Sequence, residues 1–195
     1  TEKIAFDDYS FKAFNFYLQF SNSSDSHYTW SDNFADSIDA FSSGDAAMIF
    51  DYSRRIPNIK QKNPFLNFAV APMPQFDVSR PVNYADYWGL AVSKQSQYPK
   101  YAWDFIFSAV ADPKNSAMYL KNSNLPPALR SLINRYLSDS DLNAFAKQSL
   151  TSVSIYQFNN SAFAQSFSNM IDLVLSGRAT IQNALEQTQN EINGN

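Results

Sequence analysis

Residues 41–60, FSSGDAAMIFDYSRRIPNIK, constrain the fold of this chain more than any other stretch. An amphipathic segment ends on Gly44, a run of small and apolar residues follows, and the chain turns abruptly polar at Asp51. A glycine closing a helical pattern supplies the left-handed C-cap that residues with a Cβ resist. The unalternated run AAMIF then predicts a strand buried on both faces, as in a helix-covered sheet rather than an open antiparallel one. A strand placed there delivers Asp51, Tyr52, Ser53 and Arg54 to one point at its end.

Apolar spacing predicts a helix over DDYSFKAFNFYLQFS, with Phe11, Phe14, Tyr17 and Leu18 on one core-facing stripe. A second is predicted over SDNFADSIDAFSSG, capped by Ser31, with Phe34, Ile38 and Phe41 sharing a face. A short helix begins at Ser53, carries Pro57 near its first turn and closes at Asn63-Pro64. NFAVAPMP reads as a second buried strand stopped by Pro72 and Pro74, FDVSRPVN as a linker, and YWGLAVSK as a third strand. A helix over residues 98–110 aligns Trp103, Phe107 and Val110, and Asp112-Pro113 supplies the N-cap and first position of the next. LPPALRSLINRYL, DLNAFAKQSL, NSAFAQSFSNMIDLVLSG and ATIQNALEQTQNEI make the C-terminal third helix-rich, with Thr180 capping the last segment. Strands alternating with helices early and helices alone late predict an α/β body with a helical finish. The proline-bearing stretches 72–81 and 125–127 are the expected crossings between subdomains.

Composition excludes several functions. A net charge of −3 with no basic run disfavours a nucleic-acid partner. With no cysteine there is neither a disulfide nor a thiolate, and His27, the one histidine, sits in the polar loop SDSHYTW as a solvated side chain rather than a zinc ligand. No apolar run reaches the roughly 18 residues of a membrane helix. The chain opens TEKIAFDD, with neither an initiating Met nor a basic and apolar leader, so we expect a piece of a longer polypeptide whose export signal or lipid anchor lies upstream. Phosphate-cradling loops need glycine, and the chain has four, with no dinucleotide, P-loop, nucleophile-elbow or zinc-protease motif; no cofactor is expected. Asp7 with Asp8, and Asp139 with Asp141, read as caps at helix starts rather than as glycosidase pairs.

Two clusters carry the candidate chemistry. Tyr84, Asp86, Tyr87 and Trp88 crowd the start of the third predicted strand, and Asp51, Tyr52 and Arg54 stand at the end of the first. Crevices outside strand termini are where open α/β folds hold ligands. Aromatic faces beside a few polar groups suit sugars, whose CH faces stack and whose hydroxyls need donors and acceptors.

FSSGDAAMIFDYSRRIPNIKQKNPFLNFAVAPMPQ resembles the F-x-x-G-[KD]-A-A-M stretch, strand and V-A-P-x-P strand of family 1 extracellular solute-binding proteins, the maltose-binding-like receptors of ABC importers. The resemblance continues through PVNYADYWGLAVSK, KYAWDFIFSAVADPKNSAMYL and NLPPALRSLI to the closing SGRATIQNALEQTQNEIN, so it spans nearly the whole chain. It implies a periplasmic-binding-protein type II-like α/β fold in two lobes that close on a ligand. Residues 1–80 and 129–195 would belong to the second lobe and residues 81–128 would cross to the first, most of which would precede residue 1. Where many sugar-binding relatives place a stacking Trp this chain has Arg54; where they carry Gly-Gly before the aromatic it has Asp86 and Tyr87 before Trp88; and Ala164 stands at an aromatic platform of the maltose-binding relative. These departures speak against a maltodextrin and bring in a polar or anionic ligand feature, since guanidinium offers a bidentate fork. The resemblance thus implies a non-enzymatic receptor for a small-molecule solute of the sugar class, held by Trp88, Asp86, Tyr87, Arg54, Tyr52, Asp51 and Tyr84. Its partners would be the membrane-embedded permease subunits, its place extracellular or periplasmic on a lipid anchor, and a homo-oligomer is a further expectation where apolar surface is uncovered. The alternatives are a glycan-active enzyme using Asp51 with Asp86, and an interaction domain on the same fold.

Overall fold

Side-chain caps set many of the helix starts in the computed structural model, which describes residues 4–121, 123–155, 157 and 159–194. The chain forms two compact units, one from the described residues of 1–35 and 156–195, the other from residues 36–155.

In the first unit, Asp7 opens α1 (Asp8–Gln19) with a reciprocal capping box, its carboxylate accepting from the Ser10 N–H at 3.0 Å. Asn159 caps α8 (Asn160–Leu175) through the Ala162 N–H, and the Thr180 hydroxyl accepts from Asn183 N–H at the head of α9 (Ile181–Gly194), as its sequence predicts. Phe14, Leu18, Met170, Ala184 and Leu185 are the core of these three helices. Phe11 and Tyr17 flank the α1 stripe and are only part-covered, at 38% and 44% exposed, because Phe14 and Leu18 at i and i+4 already fill the face that α9 covers. The turn between α8 and α9 passes through Gly177 at φ 70°, which lets the Arg178 and Ala179 amides bond back to the Leu173 carbonyl. His27 is an exposed loop side chain with Nδ1 2.7 Å from Asp25.

In the second unit, α2 (Ser37–Ser43) starts at Asp36, whose carboxylate accepts from Ile38 N–H at 2.9 Å; Ser31, the expected cap, instead closes a separate turn with Asn33 N–H. Both residue types cap helices, and Asp36 wins because it lies directly before the residues that take helical backbone angles. Gly44 ends α2 at φ 86°, with the Asp45 and Ala46 amides donating to Ala40 O. A 3-10 turn over Ser53–Arg55 leads into α3 (Ile56–Lys62), which ends at Asn63 as expected. The Asn63 amide group donates to Ser42 O at 2.9 Å and Lys62 pairs with Asp39, tying α3 to α2. α4 (Pro99–Ile106) widens into a π-helical stretch, Phe107–Ala111, and the Ser108 carbonyl in it is bonded by the Asn115 side chain. α5 (Pro113–Leu120) is capped by Asp112 through two amides at 2.9 Å. α6 (Arg130–Tyr136) packs against α5 and against α7 (Asn143–Gln148), whose approach is turned by the Asp139 carboxylate.

The strands are the principal correction. Among the described residues the ladder consists of β1 (Asn83–Tyr84) parallel to β2 (Ser152–Val153), with Asn83 opposite Ser152 and Tyr84 opposite Val153. The strands expected at residues 46–50, 67–74 and 87–94 run without ladder partners. The run AAMIF is not buried on both faces, since Met48 and Phe50 are 70% and 61% exposed. Apolar content specifies a demand for cover, but a strand also needs a second segment in register to take its N–H and C=O groups, and none of the described segments supplies one there.

Candidate functional site

Local chemistry around Asp51 gives its two arginines different tasks. The Asp51 carboxylate accepts from the Tyr52 N–H at 2.6 Å, and Arg55 Nε lies 3.9 Å from it. The 3-10 turn starts directly after Tyr52, buries Ser53 and Ile56, and leaves Tyr52, Arg54 and Arg55 outside. Arg54 folds back so that its guanidinium carbon stands 5.0 Å from the centroid of the Tyr52 ring, a cation–π contact.

The second segment arrives from β1. Asn83 is buried and bonded on both sides: its amide donates to Thr151 Oγ1 at 2.8 Å, and its carbonyl oxygen accepts from Gln75 Nε2 at 3.3 Å. Gln75 accepts in turn from the Val82 N–H at 2.9 Å, and the Ala85 N–H continues the parallel pairing onto Val153 O. These bonds fix the direction in which the chain leaves β1 carrying Tyr84 and Asp86.

The two segments come within electrostatic range of each other. The Tyr52 phenol is held above its ordinary tyrosine value, first by desolvation, then by Tyr84 and Asp86 close by; Arg54 opposes the shift and Asp51 adds slightly to it. Tyr52, Tyr84, Asp86, Arg54 and Asp51 therefore form one electrostatic neighbourhood, mixing two phenols, two carboxylates and two guanidiniums when Arg55 is included. Among the described residues no hydrogen bond or ring contact joins Tyr87 or Trp88 to it. They extend from it along the same segment as exposed aromatics, Trp88 at 90%. Tyr84, Asp86 and Trp88 recur at the spacing that an extended chain directs to one side, whereas Tyr87 falls between them.

The sequence pattern singled out none of Arg55, Asn83, Gln75 and Thr151. Arg55 is distinguished only by its fourth place after Asp51, and Asn83 only by being a polar residue at a strand start. Among the described residues no group of three or more His, Cys, Asp or Glu is placed to hold a metal ion. No helix among them is long and apolar enough to cross a membrane.

The sequence profile of bacterial extracellular solute-binding proteins matches residues 7–149, which take in every residue of the neighbourhood around Tyr52. No curated protein matches the chain. The profile covers well over half of the 195 residues, and its fold is of the periplasmic-binding-protein kind, with which short strands among many helices are consistent. The chain belongs to the bacterial extracellular solute-binding protein family.

Proposed function

We propose that the chain is the substrate-binding component of an ABC importer and captures a carbohydrate or related polar solute by closure of two lobes, without turning it over. The observation that carries this reading is Tyr52, which has Arg54 5.0 Å over its ring and Tyr84 and Asp86 of a separate segment within electrostatic range. A sugar is bound by a flat apolar surface for its CH face plus acceptors and donors for its hydroxyls, and these side chains are that set. Trp88 would stack on the ring, Asp86 would accept from hydroxyls, and Tyr52 and Arg54 would donate. Tyr84 and Tyr87 would line the rim, and Asp51 would steady the turn that presents Arg54. Residues 81–128 would supply the part that crosses to the opposite lobe, with a lipid anchor holding the receptor near its permease. Closure follows only if the solute binds the closed form better than the open one.

A glycan-active enzyme built on Asp51 and Asp86 is less well supported. Asp51 is already engaged by its neighbouring amide and by Arg55, which makes it a positioning group for the turn rather than a proton donor to a leaving group.

A thermal-shift panel of mono-, di- and oligosaccharides, polyols and sugar acids tests the proposal. A ligand at about 100 times its dissociation constant adds roughly 2.7 kcal/mol to stability. A chain of this size should then melt about 5–10 °C higher. We expect a shift with at least one sugar, abolished in Trp88→Ala. Silence across the panel overturns the carbohydrate reading, and turnover of a chromogenic glycoside that stops in Asp86→Asn overturns the non-enzymatic one.

A further inference from the structure

We infer that the solute carries a carboxylate, that Arg54 receives it, and that the ligand class is a sugar acid such as a uronate; this rests on the solute-binding reading above. The two adjacent arginines provide an internal comparison. Arg55 is neutralised within its own turn, 3.9 Å from Asp51. Arg54 takes part in no ion pair and donates no hydrogen bond among the described residues, yet it is held in place, 5.0 Å over the Tyr52 ring. A cation–π contact restrains the guanidinium without consuming any of its N–H donors. What remains is a restrained cation with its fork of donors unspent, the group that accepts a carboxylate bidentately.

The rest of the neighbourhood narrows the class. Asp86 lies within electrostatic reach of Tyr52 and is likewise in no ion pair among the described residues. This unpaired carboxylate opposes a doubly charged ligand such as a phosphate monoester, because like charges at close range are disfavoured. It favours a ligand whose second contact is a hydroxyl that can donate. Exposed Trp88 two residues further adds a flat apolar face for ring CH groups. One carboxylate, several hydroxyls and one CH face together describe a uronate.

Isothermal titration of the protein with galacturonate against galactose, and with glucuronate against glucose, tests this. We expect the uronate to bind at least about tenfold more tightly than its neutral partner, as a charge-assisted bidentate pair requires. Arg54→Gln should bring that ratio close to one. Arg54→Lys should retain part of it, since lysine keeps the charge and loses the fork. A neutral hexose that binds as tightly as its uronate, or a uronate preference that survives Arg54→Gln, overturns the inference and leaves sugar binding standing. If neither member of either pair binds, the inference falls together with the carbohydrate reading.

Discussion

Replacing Gly44 by alanine isolates the torsional cost of the turn that leads into the candidate site. Gly44 has φ 86°, and a Cβ added there meets no heavy atom within 4 Å, so the substitution introduces strain without a clash. An L residue in the left-handed region costs roughly 1–2 kcal/mol. Alanine also narrows the unfolded ensemble, which returns about 0.4–1 kcal/mol. The net expectation is a loss of about 0.8 kcal/mol, within a span of roughly 0–1.6, or a few degrees in the unfolding midpoint. Asparagine tolerates this region better than alanine, so Gly44→Asn should fall between alanine and the parent. Urea unfolding followed by far-ultraviolet circular dichroism gives the global cost. Hydrogen exchange at the Asp45 and Ala46 amides, which both bond to Ala40 O, gives the local one. An alanine variant more stable than the parent would falsify the left-handed cap, and a loss above about 3 kcal/mol would point to a contact in place of a torsion.

Two further outcomes follow from burial and from the tyrosines. Leu132 is 1% exposed on α6 and Trp88 is 90% exposed, so Leu132→Ala should cost about 2.7–5 kcal/mol in denaturant unfolding while Trp88→Ala should stay within about 0.5 kcal/mol; similar costs for both would refute the burial pattern. The Tyr17, Tyr52 and Tyr136 phenols are all held above their ordinary value, chiefly by desolvation, so the fold favours their protonated forms. Their contribution is therefore complete below the unfolded tyrosine value near pH 10 and is lost as pH rises through the higher folded values. Urea midpoints measured from pH 8 to 11.5 should fall at the alkaline end, and Tyr52→Phe should flatten part of that fall; a level profile would contradict it.

Helix termini were legible in the sequence because their chemistry is local. Asp7, Asp112-Pro113, Gly44 and Thr180 each act on amides or backbone angles within a few residues, so composition and spacing suffice. The misplaced caps show where that reasoning stops: Ser31 yields to Asp36 five residues on, and Asp139 and Asp141 lie ahead of α7, which starts after Leu142 without a side-chain cap; only the backbone path decided. The seven candidate site residues were visible as two aromatic and charged clusters. That Tyr52 senses Tyr84 and Asp86 was not, because the pairing depends on the route the chain takes between them.

Residue order alone was enough for most helices, several of their caps, the family and the residue types available for a ligand. The rest depended on how distant segments come together. The tertiary structure left the apolar runs at 46–50, 67–74 and 87–94 without ladder partners, since a strand exists only through hydrogen bonds to another segment. It also separated two adjacent, chemically identical arginines, because the turn at Ser53 returns Arg55 to Asp51 and lays Arg54 across Tyr52.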